Sequence, residues 1–377
     1  MPGHPAGTRN VITEQKDAAG IPPADAAMRY LIVKPSSLGD ILHAMPAVSA
    51  LANAEPDVSV DWVVKPAFAE LPPYLPCVRR VIPFYDKEFR SPLRFLPALS
   101  RLRADLRREP YDAVIDLQGL VRSAFVGRLS GCGVRAGFAS PREHFAVHFY
   151  TRRLKGRGKP GHAVDINNTL MKDFLGREDL DFSLNLPVNE RTAERAREIA
   201  EEAFGGALPE RFAIVAPGAR WETKKWPAEF FSAVIASVAR REPGLRFLLA
   251  GTRDETADAE IILARSAAAG LSVASICGKT GVGELLETVR LSSLMICNDS
   301  GPMHIAAALG VPVVAMFGPT DPALTGPYCE KKSVFVPEIA CNRCFLRYCK
   351  DSRCHAMIDP EAVAAASCNL LLNSKRS

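Results

Sequence analysis

Three loops in this chain combine residue types that could do chemistry. In the first, KPSSLGD at 34–40, an apolar run (30–33) ends in a tight turn and helical spacing begins at Asp40. A carboxylate at the carboxyl end of a parallel strand stands on the rim of a ligand cleft, where it can accept a proton. The same position suits a helix N-cap, so both readings stand on this stretch alone. In the second loop, residues 216–227, Lys224 and Lys225 precede a helix whose first turn takes Pro227. Their ammonium groups could meet an anion held at that helix end, or could simply be solvated. In the third, CNDSGPMHIAAALG at 297–310, Asn298 and Asp299 end a strand, Ser300 and Gly301 allow close backbone approach, and Pro302 opens a helix. A diphosphate could rest on the free amides of that helix. Asp299 would repel it and reads as a loop-ordering residue; His304 reads either as a phosphate donor or as a packed histidine.

Further strand-end loops add to the set. In Gly251-Thr-Arg-Asp-Glu255, Asp254 or Glu255 could accept from ribose hydroxyls or cap a helix. Gly278-Lys-Thr-Gly281, which contains Thr280, lacks the GxxxxGK[ST] spacing of a phosphate-cradling loop. No GxGxxG follows any strand, which argues against a dinucleotide dehydrogenase.

The elements that must position these loops alternate regularly. Short β-rich runs are expected at 30–33, 58–64, 80–84 and 111–117, with helices at 93–107 and 120–129. Residues 133–160, Arg-rich and poorly periodic, read as a long loop. A helix at 163–175 and a linker at 184–187 precede a second alternating series: helices at 190–203, 227–240, 255–268, 283–291 and 302–309, and strands at 212–216, 245–250, 272–276, 294–297 and 312–317. Such alternation predicts an α/β fold of two Rossmann-like units with a ligand cleft between them. The expected organisation is a disordered extension (1–27), one unit over 28–186, a second over 187–358 and a last helix with its tail (359–377), which must bury Val363, Leu370 and Leu371.

Hydrophobic residues make up 47% of the 377 and charged ones 24%, the balance of a globular protein. No apolar run is long enough to span a bilayer, and residues 1–27 carry two basic residues and no apolar h-region, so a cytoplasmic location is expected. The net charge of +5 is uneven: residues 28–186 carry 23 basic against 17 acidic, residues 187–377 carry 22 against 22. A basic first half suits an anionic ligand or membrane surface. No aromatic-interleaved basic motif points to nucleic acid.

Of ten cysteines, Cys77, Cys132, Cys277, Cys297 and Cys368 lie in apolar surroundings and read as core residues. Cys341, Cys344, Cys349 and Cys354, spaced CxxC-x4-C-x4-C with His355 adjacent, have the composition of a structural zinc site. The spacing is tighter than in paired CxxC sites, and packed or disulfide-capable thiols are the other reading.

The chain resembles glycosyltransferase family 9, the bacterial lipopolysaccharide heptosyltransferases. Four passages carry the resemblance: KPSSLGDILHAMPA, DLQGLVRSA at 116–124, KKWP, and NDSGPMHIAAALGVPVVAMFGPTDP. Arg142-Glu143 with Tyr150, and HAVD at 162–165, are secondary matches, and DLQGLVRSA looks most like the enzymes that add the first heptose. Residues 1–27 and Pro35 depart from the family pattern.

The resemblance implies a GT-B fold with the acceptor on the first unit and the nucleotide sugar on the second, and inversion without a catalytic metal or other cofactor. It makes Asp40 the general base and Lys224 the lysine at the donor phosphates. Glu255, Thr280, Asp299, Ser300, Gly301 and His304 would bind donor; Ser37, Gly39, Gln118, Arg122 and Arg142 would bind acceptor. The partners implied are ADP-heptose, a Kdo-lipid A acceptor and peripheral contact with the inner membrane, with a monomer expected. A similar Cys-rich segment belongs to the resemblance, which argues against a catalytic role for it. Two rival readings are the same family with another donor sugar or acceptor, and a non-catalytic nucleotide- or zinc-binding protein.

Overall fold

The structure, a computed structural model, describes residues 28–156, 161–351 and 353–374. The expected extension at 1–27 lies outside the described residues. Twelve strands form two parallel sheets of six. The first contains β1 (Arg29–Val33), β2 (Ser59–Val64), β3 (Val78–Pro83), β4 (Ala113–Asp116), β5 (Arg135–Phe138) and β6 (Arg152–Leu154), in the order β3-β2-β1-β4-β5-β6. The second contains β7 (Phe212–Ala216), β8 (Arg246–Leu249), β9 (Val273–Ser275), β10 (Leu294–Asn298), β11 (Val313–Met316) and β12 (Lys332–Phe335), in the order β12-β11-β10-β7-β8-β9. Both are doubly wound, with the change of winding between β1 and β4 and between β7 and β10. That is where loops diverge and ligands collect in such sheets.

The central strands are apolar runs rather than alternating patterns because helices cover both faces. β7 and β10 are buried along their whole length. The register aligns the ends that matter: Val33 beside Asp116, Asp116 beside Gly137, and Cys297 beside Ala216. The last helix, Pro360–Ser374, packs on the helix Ala228–Arg241, where the Ser237 hydroxyl donates to Glu361 at 2.8 Å. It buries Val363 and Leu371, whereas Leu370 is half-buried.

Residues 133–160 are not a single loop. They contain β5, β6 and a 3-10 segment His144–Phe149. Strands of four and three residues are too short to display a period of two, and their pairing is decided by neighbours in the sheet. Arg135 adds bonds to the carbonyls of Phe149 (2.8 Å) and Cys132 (2.7 Å). Gly137 makes room for the Tyr150 ring, which would lie 2.4 Å from a Cβ there. β12, also unexpected, is an edge strand held by its register with β11.

The edge opposite the loops is tied by one carboxylate. Asp61, fully buried in β2, takes Arg29 from β1 (2.8 Å), Arg80 from β3 (2.8 Å) and the Tyr111 hydroxyl ahead of β4 (2.7 Å). Removing the carboxylate leaves Arg80 without its counter-charge and Arg29 with Glu109 alone. Asp61→Ala is expected to lower the unfolding free energy by about 3–5 kcal/mol, read as a shifted urea midpoint.

Candidate active site

The wall built by the first sheet begins where β1 ends. Ser37, not Asp40, is the N-cap of the short helix Leu38–Leu42. Asp40 occupies the third helical position and its Oδ2 accepts from the Ser37 amide (3.0 Å) and hydroxyl (2.9 Å), the reciprocal half of a capping box. The cap reading of Asp40 is thus corrected by three residues. The bonds hold one carboxylate oxygen and leave Oδ1 turned to Arg142, 3.9 Å away. Burial pushes the carboxyl pKa up, but the Lys34 charge, the Ser37 amide and Arg142 together outweigh it and hold it below the ordinary range. Asp40 is therefore ionised at neutral pH.

The next loop is ordered by Asp116, the buried residue that opens the DLQGLVRSA motif. It accepts from the amides of Gln118 (2.8 Å) and Gly119 (3.2 Å), the Ser123 hydroxyl (2.8 Å) and the Tyr150 hydroxyl (2.7 Å). Gly119 has φ +71° and lies against Phe138 and the Arg142 amide, so a side chain there would be strained as well as crowded. Its carbonyl accepts the Glu143 amide at 3.1 Å, and this joins the Arg142 loop to the Gln118 loop. Ser37 and Arg142 thus meet at Asp40, and Gln118 is buried in the adjoining loop. Arg122 turns instead to Asp86, at 3.8 Å.

The wall built by the second sheet gathers at the end of β10. The Asn298 side chain accepts from the Trp226 amide (3.1 Å) and donates to the Pro217 carbonyl (2.5 Å). Asp299 takes Lys224 Nζ (2.6 Å) and the Thr320 hydroxyl (2.5 Å). It therefore orders three loops, and Lys224, also 4.8 Å over the Trp221 ring, is the lysine aimed at the site. Lys225 is committed to Glu222 (3.1 Å) and Asp258 (3.5 Å). Ser300 caps the helix Gly301–Ala308, and its buried hydroxyl has no partner among the described residues. Glu255 accepts from the Thr252 amide at 2.7 Å and lies across Gly218, where a Cβ would stand 2.0 Å from its carboxyl carbon. Thr280 is half-buried in the loop after β9.

The walls meet at His304. A Cβ on Gly39 would lie 2.4 Å from its imidazole, so only glycine admits the ring. His304 Nδ1 is 3.0 Å from His43 Nε2, and the His43 ring stands 5.2 Å from that of His162, which in turn lies 4.8 Å from Tyr328. The Tyr328 hydroxyl donates to Asp165 at 2.6 Å. Glu70 adds a further tie between the sheets, accepting from the Gly283 amide at 2.6 Å. Behind the histidines a cavity of about 440 Å³ is lined by Leu42, His43, Phe182, His304 and Tyr328, and by neither Asp40 nor Lys224. His43 escaped the sequence reading. It follows Asp40 by three residues, but its partner is 261 positions away.

The Cys-rich segment brings Cys354 within electrostatic reach of Cys341, Cys344 and Cys349. Among the described residues no group of three or more His, Cys, Asp or Glu side chains is placed to hold a metal, and Cys341, Cys344 and Cys349 are exposed. Other contacts hold the segment: Thr223 Oγ1 donates to the Leu346 carbonyl (2.7 Å), and Arg347 stacks over Trp221 at 4.8 Å. His355, beside Cys354, is 2.6 Å from the Thr223 carbonyl through Nε2. The segment thus buttresses the Lys224 loop.

Two sheets, each presenting its switch-point loops to the other, match a known pattern. A profile described as Glycosyltransferase family 9 (heptosyltransferase) fits residues 99–355. The chain belongs to glycosyltransferase family 9. It is 32% identical to lipopolysaccharide heptosyltransferase 1 of Pseudomonas aeruginosa, covering 85% of this chain and 87% of that one. Its identity to the Escherichia coli K12 lipopolysaccharide heptosyltransferase 1 is 30%, covering 81% and 93%. The solved E. coli heptosyltransferase WaaC with ADP superposes with a TM-score of 0.72 at 27% identity, over 91% of this chain and all of that one. The two-sheet arrangement is accordingly that of a family 9 glycosyltransferase, as the sequence motifs implied.

Burial lowers the His304 pKa to about 4, against the opposing pull of Asp299 and Asp40 and with the help of His162 and Lys224. A depressed folded-state value means that the stability held by the neutral ring is complete above its unfolded value of about 6.5. It is lost as pH falls from there through about 4. Denaturant unfolding at pH 7.5 and pH 4.5 is expected to show a larger loss for the wild type than for His304→Gln. Equal losses would contradict a neutral buried ring.

Proposed function

We propose that this protein transfers heptose from ADP-heptose to Kdo-lipid A in the synthesis of the lipopolysaccharide inner core. The carrying observation is the pairing of an ionised carboxylate on one wall, Asp40, with a lysine and a helix N-terminus on the other. Asp40 and Asp299 both act electrostatically on His304, so the two walls face one space. The sequence similarity to enzymes named lipopolysaccharide heptosyltransferase 1 supports the choice of sugar and acceptor.

Each residue type then has a task. Asp40, with its Oδ2 held by Ser37, takes the proton of the acceptor hydroxyl as that oxygen attacks the anomeric carbon. Attack from the face opposite the leaving diphosphate inverts the centre. ADP departs as an anion, and Lys224 with the amides of the helix Gly301–Ala308 stabilises the charge, a role a divalent cation fills in other enzymes. Asp299 and Thr320 hold Lys224 in place, Glu255 and Thr280 lie on loops for the nucleoside, and Ser300 and His304 line the diphosphate end. Ser37, Gly39, Gln118, Arg122 and Arg142 form the acceptor side, where guanidinium groups suit the carboxylates and phosphates of Kdo and lipid A. The enzyme would work as a monomer on the cytoplasmic face of the inner membrane, in peripheral contact with it.

Asp40→Asn is expected to lower turnover of ADP-heptose with Kdo-lipid A by about 10²–10⁴-fold. ADP affinity, measured by calorimetry, should stay unchanged, because the substitution is on the opposite wall. Retention of near wild-type turnover would remove Asp40 from the role of base. Lys224→Ala should reduce turnover by about 10²–10³-fold and weaken ADP binding as well. Turnover is expected to survive chelation of divalent metals by EDTA.

A further inference from the structure

The helix Pro92–Leu106 carries its apolar residues on two faces. Ala98, Leu102 and Leu106, spaced by four, are buried against the first sheet. The opposite stripe, Leu93, Leu96, Ser100 and Arg103, is exposed throughout. Leu93, at 89% exposure, is the most exposed large apolar side chain among the described residues, and Leu96 stands at 71%. Residues 92–97 are all exposed, so this end of the helix projects beyond the fold. Isolated exposed leucines are ordinary, but two on one projecting turn beside Phe95 make a prong.

Charge decides what such a prong fits. Residues 87–108 contain seven Lys or Arg against two Asp or Glu. Among the described residues Arg94 and Arg103 have no ion-pair partner, and Arg90 is 75% exposed with only Asp86 near it, at 3.9 Å. The prong is also continuous with the acceptor wall. Asp86, four residues before Arg90, takes Lys65 at 2.8 Å and Arg122 at 3.8 Å, and Arg122 opens the helix that follows the Gln118 loop.

We propose that this helix end docks on an anionic lipid surface, with Leu93 and Leu96 entering the acyl boundary and Arg90, Arg94 and Arg103 meeting headgroup phosphates. Its benefit rests on the reading of a lipid-borne acceptor, whose chains would stay in the bilayer while its sugar reaches Asp40. No helix among the described residues is long and apolar enough to cross a membrane, so the contact is peripheral and reversible.

Co-sedimentation of the full chain with vesicles of phosphatidylethanolamine and phosphatidylglycerol tests this. Binding should exceed that to phosphatidylcholine vesicles and fall as salt is raised above about 0.15 M. Leu93→Glu with Leu96→Glu should weaken it at least about tenfold, and Arg90→Glu with Arg94→Glu should weaken it and flatten the salt dependence. Both pairs should leave turnover of an acyl-free Kdo acceptor at the wild-type level while lowering turnover of Kdo-lipid A held in vesicles. Absence of wild-type binding, undiminished binding by the leucine pair, or a dimer in light scattering that the leucine pair dissolves would each overturn the proposal. Absence of wild-type turnover on every acceptor, with vesicle binding intact and weakened by the leucine pair, would instead refute the heptosyltransferase reading and leave the docking surface standing.

Discussion

The contact between Gly39 and His304 is the constraint on which the site depends. A glycine without a Cβ lets an imidazole from the second sheet reach the backbone of the first, and His43 closes the contact with a 3.0 Å bond between ring nitrogens. Asp40 follows Gly39 directly, and His304 lies in the helix that Ser300 caps. Bringing the two rings together therefore brings a carboxylate and a helix N-terminus to opposite sides of one space. Both rings are held neutral by burial, the state in which each can supply one donor and one acceptor to its neighbour.

Around that contact, the loops are held by acidic and amide side chains bonded within the fold. Asp116 collects four donors, Asn298 clips two loops, Asp299 collects Lys224 and Thr320, and Glu255 lies across Gly218. Such groups fix the positions of lysine, hydroxyl and amide donors before any ligand arrives, which is what electrostatic stabilisation of a leaving anion requires. Asp40 stands on the first sheet's wall, its Oδ2 held by Ser37 and its Oδ1 3.9 Å from Arg142. The Asp61 knot on the opposite edge of the first sheet involves none of the site residues, so stability and chemistry occupy different ends of the strands.

The architecture was legible because parallel strands covered by helices must be continuous apolar runs, and chain order alone then implies two doubly wound sheets. Strands β1, β7, β10 and β11 and the helices that follow them stand out for this reason. β5, β6 and β12 did not, because strands of three or four residues at or near a sheet edge show no period and are selected by their neighbours. The capping-box role of Asp40 has a local signature, a Ser three residues before an acidic residue, whereas Gly39 between them suggests a helix start at Asp40.

By itself, the sequence determined the family, the two-sheet fold, the loops that carry polar residues and the identity of the residues at each strand end. These follow from local spacing and motif order, which do not depend on distant partners. The tertiary structure alone decided which of those residues face one another. Lys224 rather than Lys225 meets Asp299, Arg142 rather than Arg122 approaches Asp40, and His43 finds His304. The Cys-rich segment meets the Lys224 loop through Thr223 and Trp221. The physical reason is the same in each case: a contact between residues 75 to 261 positions apart is selected by tertiary packing, and local sequence carries no record of it.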